Sequence, residues 1–496
     1  MAERAPPARR LPLATGRAGE YVPGMADGKL WIDGAWVPGE TQAEVRSPWD
    51  GRLIRRVAQA SAAQADQALA AASGARERLQ RQSTGKRREV LEGIVAGLRA
   101  RAEEIAQSIC HEAGKPITLA RVEVRRAIEV FRLAAAELTR FGGSVVPVDM
   151  DSGTEGLEAE VRRFPAGVVV GIVPFNFPLN LGAHKVAPAM AVGAPIIVKP
   201  PPQAPGAQLM LAEITHQAGA DPAAFQVVTC DNAVAERLAT DSRVRVLSFT
   251  GSAAVGWTLK QKSPGRVLLE LGGNAAALIA ADADLDWAAE RCVSAGFGYA
   301  GQVCIKVQRI FVEAPAHAAF LDKLLARTKQ VPTGDPAEER TVCGPVIDDR
   351  SAARITAWVD EAVAGGARVL LGHRREGRLL QPTVLADVPE ESKAAREEIF
   401  GPVVAVWPVA DWDAGLRGVN SGHYGLQAGV FTRDLRRVRQ AFHRLEVGGV
   451  IVNDAPNLRS DNMPYGGVKG SGLGREGVRY AMEELTDERV LVTRLR

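Results

Sequence analysis

The hydrophobic positions of the chain change rhythm twice. Over residues 62–72, 86–110 and 119–140 apolar side chains recur at three- and four-residue intervals, which predicts three amphipathic helices. In the last of these Val122, Ala127, Val130, Phe131 and Ala134 recur at helical spacing, arginines occupy the other face, and Gly142-Gly143 ends the helix. Short, wholly apolar runs then take over. Val168 to Val173, Pro195 to Val198, Phe225 to Val228, Val244 to Phe249 and Val267 to Leu271 read as buried strands, with helices near 180–192 and 205–218 between them. Strand, helix and strand in this alternation predict right-handed crossovers and a mostly parallel sheet covered on both faces. The rhythm restarts after Gly273. Ala275 to Ile279 reads as a strand, 284–296 as a helix, and Ile310 to Val312 and Val403 to Trp407 as further strands, the latter stopped by Pro408. The pattern predicts an α/β protein with two such domains. Alternation in Arg489-Val490-Leu491-Val492-Thr493 predicts an exposed edge strand open to a partner.

Composition narrows the function classes. A chain of 496 residues has room for two or three domains. A net charge of +3, with basic residues spread out and not interleaved with aromatics, argues against nucleic acid or an anionic membrane as partner. No uncharged apolar stretch reaches about 20 residues, the length of a membrane span. The cysteines (Cys110, Cys230, Cys292, Cys304, Cys343) form no Cys-x-x-Cys pair, which argues against a disulfide scaffold or structural zinc and for a reducing cytoplasm. His111-Glu112 begins an H-E-x-x-H string, but position 115 is Lys and the histidines do not cluster, so no metal is expected. Residues 1–28 read as a disordered tail, with Met25 an alternative start; Glu3 and Glu20 argue against a transit peptide. Gly472-Leu473-Gly474-Arg475-Glu476-Gly477 matches G-x-G-x-x-G. It lacks a clear preceding strand and a following βαβ unit, so it reads as a glycine-rich turn.

The candidate chemistry begins at Cys304, in Gly301-Gln302-Val303-Cys304. Glu270 lies upstream in Glu270-Leu271-Gly272-Gly273. A thiol and a carboxylate, each flanked by glycines, suggest a covalent site with its own general base: the thiol attacks an electrophilic carbon and the carboxylate activates the water that releases the product. The other four cysteines read as buried structural residues.

Further segments line up with this pair: Pro174-Phe175-Asn176-Phe177-Pro178 after one strand, Lys199-Pro200 at the end of the next, Phe249-Thr250-Gly251-Ser252 with Gly256, Glu398-Ile399-Phe400-Gly401-Pro402, and Pro464-Tyr465-Gly466-Gly467. Together, in this order, they resemble the aldehyde dehydrogenase superfamily over residues 29–496. The resemblance implies a variant Rossmann cofactor domain (29–144 and 163–270), a second α/β catalytic domain (271–465), and a small β oligomerisation element (145–162 and 482–496) that builds a homodimer or homotetramer. It implies that Cys304 adds to an aldehyde and that the thiohemiacetal oxyanion, held by Asn176 and the cysteine N–H, expels hydride to a nicotinamide. Glu270 then activates the water that hydrolyses the thioester. The thiol is expected to be activated by donors or dipoles that lower its pKa. Lys199 is counted with the catalytic residues and also reaches the adenosine ribose. Gly251, Ser252 and Gly256 approach the pyrophosphate, and Phe175, Leu271, Glu398 and Phe400 complete the cofactor contacts.

The cofactor expected is NAD or NADP. NADP is tolerated or preferred, because Pro202 stands where NAD-preferring relatives often carry a glutamate. The expected partner is a small polar or anionic aldehyde, such as lactaldehyde or a semialdehyde. Arg126 is a candidate anion contact or part of a solvated helix face; Arg459 is a candidate second anion contact or a loop-surface residue. Val303, where some relatives carry arginine, weakens glyceraldehyde 3-phosphate and methylmalonate semialdehyde as substrates. Two alternatives remain: a coenzyme-A-acylating enzyme, against which Glu270 argues, and a catalytically silent structural protein of the same fold.

Overall fold

The computed structural model describes residues 28–494. The tail read over 1–28 therefore lies outside the described residues apart from Gly28, as do the last two positions of the segment 482–496. Two sheets dominate. The first runs in the order Ala35–Pro38, Lys29–Ile32, Phe225–Val227, Ile196–Lys199, Val168–Ile172, Val244–Thr250, Arg266–Glu270, Gly472–Leu473. From Phe225–Val227 to Arg266–Glu270 neighbours are parallel; the outer pairings are antiparallel. Strand residues alternate between two cores, as a sheet covered on both faces requires. Val169, Ile196, Val198 and Val246 pack with the helices Thr84–Ala100, Ile117–Glu137, Asn180–Val192 and Gly206–Gln217. Val168, Val170, Ile197 and Leu247 face the helices Ala62–Arg81 and Asn232–Thr240.

Chain order in the parallel part of this sheet starts at Val168–Ile172, runs outward through Ile196–Lys199 to Phe225–Val227, then returns to the other side at Val244–Thr250. The reversal opens a crevice beyond the carboxyl ends of the two strands where it occurs, the place where open α/β sheets bind ligands. Asn176, Lys199, Gly251 and Glu270 all stand at or just past such strand ends.

The second sheet has the order Arg368–Leu371, Thr383–Ala386, Val403–Val409, Arg309–Glu313, Ala276–Ile279, Gln427–Phe431, Gly449–Val452, parallel except at its first strand. A third, small sheet pairs Thr486–Arg494 antiparallel with Leu157–Pro165, flanked by Ser144–Val146. Its Val145, Val490, Leu491 and Val492 are each more than half exposed. No described helix is long and apolar enough to cross a membrane.

Three readings of the sequence change. The helix expected over 86–110 is two helices, Thr84–Ala100 and Ala102–Ala113, broken at Arg101, whose backbone leaves the helical region (φ −112°, ψ 18°) and whose guanidinium bonds Glu104 and Glu213. Pro408 does not stop its strand, which continues to Val409; the proline is exposed near the strand end, where a missing N–H is tolerated. Gly472-Leu473, read as a turn, pairs with Glu270-Leu269 as the last strand of the first sheet.

One buried ion pair fixes the loop after Val168–Ile172. Lys115 Nζ lies 2.6 Å from Glu123 Oε2 and donates to the Asn176 carbonyl at 2.8 Å, 3.4 Å above the Phe177 ring centroid. Glu123 Oε1 accepts from the Leu179 and Asn180 N–H groups at 2.8 and 3.1 Å. Burial pulls the Lys115 ammonium down to about 8 even with Glu123 beside it. Glu123→Gln leaves that ammonium buried without its counter-charge, and we expect a loss of about 3–5 kcal/mol of stability, read as a lower urea midpoint. An unchanged midpoint would show that the pair does not hold the loop.

Candidate active site

Cys304 follows a tight turn, Gly298–Gly301, in which Tyr299, Ala300 and Gly301 take φ of +53°, +52° and +67°. Two successive non-glycine residues in the left-handed region are strained and persist only where their surroundings dictate it. Here Tyr299 is buried and its hydroxyl donates to the Ala113 carbonyl at 3.1 Å. Buried Gln302 donates to the Tyr299 and Pro345 carbonyls and accepts from the Ile347 N–H. The other wall is Gly273, where a Cβ would stand 2.6 Å from the Cys304 carbonyl oxygen.

The Cys304 thiol lies 3.1 Å from the Tyr465 hydroxyl. Asn176 Nδ2 donates to the Gln302 carbonyl at 3.0 Å, which holds the amide beside the cysteine with a second N–H to spare. Glu270, at the end of its strand, is buried, and its Oε2 has no hydrogen-bond partner. Burial, then the charge of Glu476, pushes its carboxyl well above the ordinary range. The structure corrects the expected activation of the thiol. Burial pushes Cys304 up to about 12, and the hydrogen bond to Tyr465 offsets only part of this. Both shifts disfavour the charged form of the group at rest.

Behind them lies a charge cluster that the sequence reading missed. Lys185 Nζ donates to Ser248 Oγ (3.0 Å), Thr250 Oγ1 (2.8 Å) and Glu476 Oε1 (3.2 Å). Against burial, which raises it, Lys185 and Arg459 hold Glu476 down to about 2. Arg459 is neither a loop-surface residue nor open: it is buried, with Nη2 3.0 Å from Glu476 Oε2 and its guanidinium 3.7 Å above the Tyr465 ring. Arg126 does not belong to a solvated face either. Its Nε and Nη2 bond both oxygens of buried Asp461, at 3.1 and 2.6 Å, and Asp461 also accepts from His184 Nε2 at 2.9 Å. Signals for two of the missed residues were present. Lys185 is the lone lysine of a wholly buried helix, and Glu476 sits inside the glycine string read as a turn.

The cofactor candidates border the crevice. Lys199 is buried at its strand end and meets no carboxylate within ion-pair distance among the described residues; burial lowers its pKa, while the charge of Asp231 reaches it from the exit of the neighbouring strand. Ser252 caps the helix Ala253–Lys262 without a side-chain bond, so its first-turn N–H groups stay open to an anion. Gly256 lets this helix sit on Leu271: a Cβ there would fall 2.4 Å from Leu271 Cδ2. Glu398 Oε1 accepts from the Gly273 N–H at 3.1 Å, and a Cβ at Gly272 would come within 2.2 Å of Oε2. Phe400, at φ +46°, meets Phe175 edge-on at 5.9 Å. A cation, an open helix N-terminus and a carboxylate are groups that suit a dinucleotide.

Comparison with known proteins agrees. The profile of the aldehyde dehydrogenase family matches residues 36–491. A 3-sulfolactaldehyde dehydrogenase of Priestia aryabhattai is 41% identical over 469 residues, 94% of this chain and 98% of the relative. A lactaldehyde dehydrogenase of Methanococcus vannielii is 34% identical, covering 93% of this chain and 99% of the relative. The crystal structure of aldehyde dehydrogenase 21 from Physcomitrella patens, in complex with the reaction product succinate, superposes with a TM-score of 0.93 at 41% identity, covering 95% and 99% of the two chains. NADP-dependent glyceraldehyde-3-phosphate dehydrogenase from Bacillus halodurans, complexed with NADP, gives 0.92 at 33% identity, covering 95% and 100%. The chain belongs to the aldehyde dehydrogenase family: it is an NAD(P)-dependent enzyme that oxidises an aldehyde to the acid.

Proposed function

We propose that the substrate is a small anionic aldehyde, oxidised through a thioester on Cys304. The observation that carries this reading is an unsatisfied cation beside the Tyr465 ring. Lys185, Arg126 and Arg459 pair with the carboxylates of Asp461 and Glu476, yet the Nε of the buried Arg459 side chain lacks a partner. A buried, incompletely paired guanidinium is costly unless a ligand completes it. A carboxylate or sulfonate on the substrate supplies the missing acceptor. The sulfolactaldehyde relative and the succinate-bound structure support the same class.

In the reaction the ionised form of Glu270 takes the thiol proton as the sulfur adds to the aldehyde carbon, and releases it to solvent before the hydrolytic step. The second N–H of Asn176 and the Cys304 N–H steady the oxyanion, each such donor being worth about 2.7–4 kcal/mol. A bound nicotinamide supplies the hydride acceptor; Lys199, the Gly251–Gly256 turn, Glu398 and Phe400 hold it. Glu270, ionised again, then takes a proton from the water that opens the thioester, and Cys304 leaves as the thiolate. With Pro202 in place of a carboxylate, NAD and NADP are both accepted. The exposed apolar strand Thr486–Arg494 supports a homo-oligomer.

A panel of three- and four-carbon aldehydes, with and without an anionic group and with NAD and NADP in turn, tests the substrate class. Arg459→Leu should raise KM for anionic aldehydes about ten- to hundredfold, the worth of a hydrogen bond to a charged group, and leave propanal within a few-fold. Equal losses for both would remove the anion-binding role. Cys304→Ala should abolish turnover. Glu270→Gln should keep a first burst of reduced cofactor and slow every later turnover; a full steady-state rate would sink the water-activating role. Because the Cys304 thiol stands at about 12, its alkylation by iodoacetamide in the cofactor-free enzyme should climb about tenfold per pH unit from 7 to 10. A plateau below pH 9 would mean that the thiol is already ionised.

A further inference from the structure

Two residues past the nucleophile the chain buries another lysine, which takes no part in the thioester chemistry. Lys306 is 3% exposed. Its ammonium meets no carboxylate within ion-pair distance among the described residues; it donates to the Val403 carbonyl and, at 3.3 Å, to that of Val307. Val403 opens the strand that leaves the Glu398–Phe400 turn. Gln308 grips the same turn from the same segment: its Nε2 donates to the Glu397 carbonyl at 2.7 Å and its Oε1 accepts from the Ile399 N–H at 2.9 Å. Two side chains of the Cys304 segment thus staple the turn that carries Glu398 and Phe400, whose backbone is left-handed at Phe400.

A neutral side chain such as Gln308 suffices for stapling. An ammonium in a dry site costs far more, so its charge calls for a reason. We infer that Lys306 is a positioning residue for the cofactor: its buried ammonium is the counter-charge of the Glu398 carboxylate and holds the Glu398–Phe400 turn against the Cys304 segment. This rests on the reading that Glu398 binds the nicotinamide ribose. Lys306 and Glu398 act on each other's charge. Glu398 also feels Arg354, whose Nη1 donates to the Ile399 carbonyl at 3.0 Å, and it lies within electrostatic reach of Tyr424 and the Cys304 thiol. Glu398 is the charged group that acts on Lys306. Burial brings Glu398 up to about 7 despite Lys306 and Arg354, and brings Lys306 down to about 7 despite Glu398. Removing the ammonium raises Glu398 further, so a larger share of it is protonated at neutral pH and unable to accept from a ribose hydroxyl.

The test compares K306Q, which keeps a donor for the Val403 carbonyl but not the charge, with K306M, which keeps neither, and with E398Q. Cofactor and aldehyde KM are measured across pH 6 to 9. In both lysine variants the acid limb of 1/KM for the cofactor should move to higher pH by about one unit, with cofactor KM at pH 7 up about tenfold and aldehyde KM within a few-fold. Wild-type behaviour in K306Q, with or without a loss in K306M, overturns the counter-charge role. E398Q separates the inference from the reading beneath it. If E398Q leaves cofactor KM unchanged, the ribose contact itself is wrong; if E398Q raises it and K306Q does not, only Lys306 is misassigned. If K306Q does not fold, the neutral pair E398Q/K306Q takes its place. Cofactor KM equal to that of E398Q alone supports the coupling, and additive losses overturn it.

Discussion

A charge taken out of water must find an opposite charge, accept dense hydrogen bonding, or give up its ionisation. That constraint organises the region where the two sheets meet. Lys115 with Glu123, Arg126 with Asp461, and Lys185 with Glu476 and Arg459 meet it by pairing, and each pair ties one segment to another: the Asn176 loop to a helix, the loop before Tyr465 to two helices, the last strand of the first sheet to the helix Asn180–Val192. Cys304 and Glu270 meet it by a shift toward their neutral forms. The paired groups form a frame around these two.

The same constraint explains what the sequence made legible. Strands such as Ile196–Lys199 and Ala276–Ile279 are buried on both faces, so apolar runs announced them, and their alternation with helices announced parallel sheets. The groups proposed to carry the chemistry, Cys304, Glu270 and Asn176, sit in short motifs whose glycines and prolines mark sharp changes of direction, and these could be read locally. The charge cluster could not. Arg126 and Asp461 are separated by 335 residues, Lys185 and Glu476 by 291. Nothing in the neighbourhood of either partner says that the other exists. Arg126 on its helix is indistinguishable in sequence from Arg125 or Arg132, and only the fold sets it against Asp461.

Backbone strain is the second cost the site bears. Tyr299, Ala300 and Phe400 hold left-handed conformations on the two segments that face each other across the nucleophile. No residue-level preference predicts them, because these side chains disfavour that region. They are stabilised from a distance, by the Tyr299 hydroxyl on Ala113 and by Gln308 on the Glu398–Phe400 turn. Exchanging such anchors for smaller polar residues acts on geometry first and on chemistry only through it.

The antiparallel strand Gly472–Leu473 closes the first sheet beside Glu270, although every other member of that sheet has been made by residue 270. The strand that ends in Glu270 therefore has as its edge partner a segment far later in the chain, and Tyr465, Arg459 and Glu476, which act on the Cys304 thiol and on Glu270, come from that same later region. The surroundings of both groups form only when these distant segments meet.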